Sequence, residues 1–140
     1  MNLLAVLEHL TGSPKLLLSK IFKLLKDDGD FVFVVPNQAR LAKRISLLFG
    51  YSVMPPYEDY FDSEYPFEGH HREYVFSEVN YMMNKSNFYV TKLYSVSYGL
   101  TGNLVKKIFF VISYFLPKTF GQIIFAVAKK INKQKQNISN

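Results

Sequence analysis

Phe31-Val32-Phe33-Val34-Val35-Pro36-Asn37 is the stretch on which the fold turns. Five apolar residues follow one another without alternation, and three of them are β-branched. Such a run reads as a strand covered on both faces, the signature of a parallel sheet in an α/β protein. Pro36-Asn37 stops it. On its amino side, Lys26-Asp27-Asp28-Gly29-Asp30 closes a helix, with Gly29 expected in the left-handed conformation of a C-cap. That helix is expected to open at Ser13-Pro14, an N-cap followed by a proline at the first helical position. Leu17, Ile21, Leu24 and Leu25 form its apolar stripe, while Lys15, Lys23 and Lys26 lie mainly opposite. On the carboxyl side of the strand a second amphipathic helix runs to Phe49, with Leu41, Ile45 and Leu48 inward and Arg40, Lys43 and Arg44 outward.

Farther along, residues 50–73 have neither period, contain Pro55, Pro56 and Pro66, and are rich in aromatics. A loop of this length inside a compact domain is usually functional, often a lid. Ser77 is expected to cap a short helix, with Phe76 and Tyr81 as a hydrophobic staple. Phe88–Tyr98 reads as a strand, Asn103–Leu116 as a helix ended by Pro117, and Gln122–Ala128 as a last strand. Residues 131–140 are a disordered basic tail after a single domain over residues 1–130.

Composition narrows the function classes. Of 140 residues, 49% are hydrophobic, with 13 Phe and 10 Tyr, which excludes disorder for most of the chain. The absence of cysteine removes disulfides, zinc–thiolate sites and thiol nucleophiles, and fits a cytoplasmic location. The net charge of +6 is uneven: about +3 over residues 1–50, −6 over 51–78, +2 over 79–100 and +7 over 101–140. An acidic middle before a basic end argues against a continuous nucleic-acid face, so no nucleic-acid partner is expected. The amino terminus lacks a basic n-region, and its apolar run ends at Glu8, so it is not a secretory signal. Ile108–Ala128 is apolar but interrupted by Pro117, Lys118 and Gly121, and its continuous pieces are too short to span a bilayer. Peripheral membrane contact through Asn103–Lys130 stays open as the weaker alternative.

The punctuation of the chain resembles a known pattern. AVLEHL (5–10), then FKLLKDDGDFVFVVPN (22–37), then GHHREYVFSEVNYMMNKSNFYV (69–90) resembles the second half of class I S-adenosylmethionine-dependent methyltransferases. The likeness is to the subgroup that methylates small molecules and lipid quinone precursors, and it covers nearly the whole chain. It implies an α/β, partial Rossmann-like methyltransferase sheet: strands four to seven with flanking helices. In that family a Gly-rich loop follows the first strand, and an acidic residue ends the second. Both would lie upstream of Met1, and no G-x-G occurs in this sequence. The resemblance therefore implies a chain lacking the cofactor-binding first half, a truncated or split enzyme inactive by itself. The fourth strand, at Asn2–Ala5, normally pairs with the first, so it is expected to present an open edge.

The site residues follow from the same likeness. The backbone of Leu4, Ala5 and Val6 is implied to border the methionine part of S-adenosylmethionine, whose binding needs the missing half. Glu8 and His9 stand at the carboxyl end of that strand, where open α/β sheets gather ligands. His9 is the expected general base with Glu8 beside it; the structural alternative is a braced helix start and a hydrogen-bonded histidine. Asn37, His70, His71 and Arg72 are the expected substrate contacts. Asn37 has a competing reading as an N-cap, and Tyr57, Tyr60, Phe61, Tyr65 and Phe67 as residues that fasten the loop. Some relatives hold magnesium through a Glu-x-x-Glu-His phrase and a later histidine. Here Ala5 replaces the first glutamate, and one carboxylate with two imidazoles suits magnesium poorly, so no metal is expected. The function implied is methyl transfer to a small molecule, lipid or sugar, with a polypeptide partner supplying the cofactor-binding half. The alternative is a non-catalytic methyltransferase-like interaction module.

Overall fold

The computed structural model describes residues 1–64, 67–97, 104, 107–108, 111, 115 and 117–131. Its elements are β1 (Asn2–Leu4), a 3-10 turn at Leu7–His9, α1 (Lys15–Leu24), β2 (Phe31–Pro36), α2 (Leu41–Leu48), α3 (Tyr57–Phe61), α4 (Phe76–Lys85), β3 (Phe88–Val96) and β4 (Ile123–Lys130). The strands form one open sheet in the order β1-β2-β4-β3. β1 and β2 are parallel, whereas β4 runs antiparallel to both β2 and β3. The protein is thus mixed α/β with a mixed sheet: β1, β2 and β3 run one way, as the parallel reading of β2 expects, and β4 alone runs the other.

One face of the sheet carries the core. Phe31, Phe33 and Val35 of β2 are fully buried, and their cross-strand partners on β4 are Ala128, Ala126 and Ile124. Large residues on one strand thus face small ones on the next, which lets α1 and α4 close over them. Leu18 and Ile21 from α1 and Val79, Met82 and Met83 from α4 complete this layer with Phe88. Phe31 stacks on Phe33 at 4.9 Å, and Phe22 meets Phe88 edge-on at 5.4 Å. Each such phenyl ring taken out of water stabilises the fold by about 2–3 kcal/mol. The opposite face is thinner: Val32, Val34, Phe125 and Val127 are only half-buried. The run of five apolar residues therefore has one dry face and one partly covered face.

Several local expectations shift for identifiable reasons. α1 begins at Lys15, and Ser13 Oγ accepts from the Lys15 N–H at 3.3 Å, one residue from the expected cap geometry. Gly29 does not adopt a left-handed conformation; among the described residues the positive-φ glycine is Gly50. What Gly29 supplies is room, since a Cβ there sits 3.1 Å from both Leu25 Cδ1 and the Lys26 carbonyl. α4 is capped at Val75 rather than Ser77, with the Glu78 carboxylate accepting the Val75 N–H at 3.0 Å. The staple positions accordingly fall on buried Tyr74 and Val79, and Tyr81 is exposed. Asn87, at φ +62, ends α4 in the left-handed conformation an asparagine tolerates. α2 buries no residue, Leu48 points to solvent, and Lys43 turns inward.

Residues 50–73 include the short α3, which the aperiodic sequence did not signal. Its Tyr57, Tyr60 and Phe61 are 60–71% exposed and touch one another, and Tyr60 meets the Phe67 ring edge-on at 5.5 Å, a contact that ties two parts of the loop together. Tyr65 lies outside the described residues. β4 extends through Lys129 and Lys130, two residues past the expected end of that strand. Of the expected Asn103–Leu116 helix, the described residues Leu104, Lys107, Ile108, Val111 and Phe115 are helical. Phe115 is 81% exposed. Phe109, Phe110 and Tyr114 of that helix, and the tail beyond Ile131, lie outside the described residues. No helix among the described residues is long and apolar enough to cross a membrane.

Candidate functional site

The carboxyl ends of the two parallel strands open onto a cleft of about 680 Å³, a size that suits a small organic ligand. Its floor comes from Val34 and Pro36 of β2 and Ile123 at the start of β4; Met54, Pro55 and Pro56 from the long loop form its apolar wall. Ala5, Glu8, Arg40, Lys43, His70 and Glu73 supply its corner and polar rim. A strand that ends at Leu4 must turn sharply to reach this corner, and Ala5 does so at φ +52, a conformation costly for a residue with a Cβ. The 3-10 turn that follows drives Leu7 into the core and carries Glu8 to the cleft.

Glu8 is 2% exposed. Its backbone carbonyl accepts the His71 N–H at 2.8 Å and the Arg72 N–H at 3.3 Å, which binds the two segments of the site together. Its side-chain Oε2 is buried with no hydrogen-bond partner, the one such side-chain atom among the described residues. His9, exposed, meets His70 edge-on with ring centroids 4.8 Å apart. One ligand atom each from Glu8, His9 and His70 lies within 4.8 Å of the others. This set of one oxygen and two imidazole nitrogens can hold a nitrogen-preferring transition ion; it is a poor fit for magnesium, which demands oxygen ligands.

Behind His70, Lys43 Nζ bonds Glu73 Oε2 and the Val53 carbonyl, each at 2.5 Å. The pair is largely buried, and Glu73 Oε1 lies 4.0 Å from His70 Nδ1. Lys43 and Glu73 thus brace the histidine and the loop. Sequence reading passed over both, although an acidic residue directly after His-His-Arg was a usable signal. The inward turn of Lys43 has no counterpart in the helical pattern.

The other expected site residues are placed as follows. His71 packs its ring on Phe67 at 5.6 Å and borders a smaller cavity of about 150 Å³ together with His70. Arg72 turns to Glu78 on α4 at 2.5 Å, with its guanidinium 5.9 Å from the Tyr74 ring, and so leaves the 680 Å³ cleft. Asn37 is fully buried, and both its N–H donors are engaged by the Thr119 and Gly121 carbonyls at 2.8 and 2.7 Å. Its Oδ1 accepts from Ala39 N at 3.0 Å, and α2 is capped at Arg40, so Asn37 neither caps that helix nor offers a donor to the cleft. Leu4, Ala5 and Val6 lie at the end of β1, and of the three Ala5 lines the cleft. Beside the site, burial raises the Tyr74 phenol above its usual value, with Glu8 and Glu78 adding to the rise and Arg72 opposing it.

No protein-family model matches this chain, and no curated protein matches it significantly.

Proposed function

We propose that the chain forms the acceptor-binding part of a class I, S-adenosylmethionine-dependent methyltransferase acting on a small molecule or lipid, with Glu8 as the general base. The observation that carries this reading is the buried Glu8 carboxylate, which lines the cleft with an oxygen no protein group satisfies. Such an oxygen is costly to bury, and a catalytic role accounts for its retention. The resemblance of AVLEHL, VVPN and GHHREY to that family supplies the reaction class.

When bound, S-adenosylmethionine supplies the electrophilic methyl group. The apolar wall of the cleft would hold the acceptor, and Glu8 would take the proton of its hydroxyl as the methyl group leaves the donor's sulfonium sulfur, which departs as a neutral thioether. His70 and His9, in edge-to-face contact and reaching from the cleft to solvent, carry that proton outward. The residues here fit only one wall of the cofactor, at Leu4–Val6. We assign the remainder of its site to a polypeptide segment that adds to the outer edge of β1, which pairs only with β2 among the described residues.

Comparison of methylated small molecules in source cells with and without the gene tests this reading. Deletion is expected to remove at least one methylated product, the wild-type gene to restore it, and Glu8→Gln to leave it below about a hundredth of the wild-type level. An unchanged profile on deletion overturns it. The same open edge of β1 favours a second reading, a non-catalytic module that pairs with a partner's strand. In that case Glu8→Gln behaves as wild type.

A further inference from the structure

The cleft holds a second group with no protein partner. Of the three arginines, Arg72 is tied to Glu78, and Arg44 bonds the Ala39 carbonyl and lies over the Phe120 ring at 4.4 Å. Arg40 lines the cleft half-buried, and no hydrogen bond or ion pair engages its side chain among the described residues. The neighbouring Lys43 is neutralised by Glu73 at 2.5 Å, which leaves Arg40 as the cation of the cavity without a bonded partner, across the cleft lining from the equally unpartnered Glu8. Arg40 also holds the cap position of α2, whose first turn carries no acidic residue and no side-chain cap. The Leu41 N–H is taken by the Phe120 carbonyl at 3.0 Å, and the first-turn amides after it add to the positive field there.

From these features, and resting on the reading of the cleft as the acceptor site, we infer that the substrate is an apolar molecule bearing a carboxylate, which Arg40 binds. A guanidinium fork matches a carboxylate bidentately, and Met54, Pro55 and Pro56 offer apolar surface to the rest of the molecule. The carboxylate fixes the orientation of the acceptor, so that its reacting hydroxyl is presented to Glu8. Arg40 is a specificity-determining residue in this arrangement, and the cleft rejects neutral analogues because binding them buries an unpaired guanidinium.

Benzoate and its neutral isostere benzamide are the probes, titrated into the full chain and followed by amide chemical shifts. Benzoate is expected to move the resonances of Arg40, Lys43, Gln122 and Ile123 saturably, and to bind at least tenfold more tightly than benzamide. Arg40→Gln is expected to abolish that preference, Arg40→Lys to restore part of it, and Arg44→Gln to leave it intact. Equal affinities for the two probes, no saturable binding, or a preference that survives Arg40→Gln each overturns the inference. The titration needs no methyl donor. A failed anion preference thus leaves Glu8-dependent methylation standing, and loss of the methylation reading leaves the carboxylate site standing.

Discussion

Glu8 and Asn37 are the two buried polar side chains among the described residues, and they sit just past neighbouring parallel strands. Asn37 has both donors and its oxygen engaged, in a knot that joins the end of β2 to the turn before β4. Glu8 keeps an oxygen with nothing to bond. The two are equally hidden from water, so burial does not separate the structural group from the one we propose as reactive. The number of partners does.

The sharpest way to break this contrast is Asn37→Ala. It orphans the Thr119 and Gly121 carbonyls and is expected to lower unfolding free energy by about 3 kcal/mol, measured in urea. Gly121→Ala attacks the same knot from the other side. Its new Cβ lies 2.6 Å from Ser95 Oγ and 2.8 Å from the Val96 nitrogen, and backbone cannot yield cheaply, so a loss of about 2 kcal/mol is expected. Glu8→Met moves the opposite way: removing an unpaired buried carboxylate is expected to raise stability by about 1 kcal/mol while ending methyl transfer. A destabilised Glu8→Met protein refutes the idea that this carboxylate is kept at a cost.

Smaller effects sharpen the picture around the cleft. Because burial raises the Tyr74 phenol above its usual 10.0, the unfolded chain releases that proton first. This contribution to stability is complete below pH 10 and is lost as pH climbs from there through the folded value. Tyr74→Phe is expected to flatten that alkaline decline, and an unaltered decline counts against the assignment. Ala5→Gly relieves the left-handed strain at the cleft corner and is expected to add about 0.5–1 kcal/mol by thermal denaturation.

Much of this fold was legible because apolar spacing is a local signal. FVFVVPN announced β2, and the stripe Leu17–Leu25 announced α1, each within a residue or two. The reversal of β4 was not legible: an apolar strand such as Ile123–Val127 carries no mark of its direction, which the intervening segment sets. At the site, Glu8, His9 and His70 were singled out by the family resemblance and do meet in space. Arg40, Lys43 and Glu73 were missed because their roles depend on where a loop folds back, and helical periodicity sent two of them to solvent. Asn37 misled for a related reason: its partners lie more than eighty residues away, at separations of 82 and 84.

The position of β4 has a consequence for how the protein is made. β2 and β3 are bridged only by the strand that leaves the ribosome last among the four. Until residues 123–130 emerge, β2 and β3 each present a bare edge, and the core face has no Ala126, Ala128 or Ile124 against which Phe31 and Phe33 can close. Folding cannot ratchet forward strand by strand during synthesis; it waits and then completes in one late insertion. A nascent chain stalled before Ile123 is therefore the species most exposed to aggregation and most in need of a chaperone.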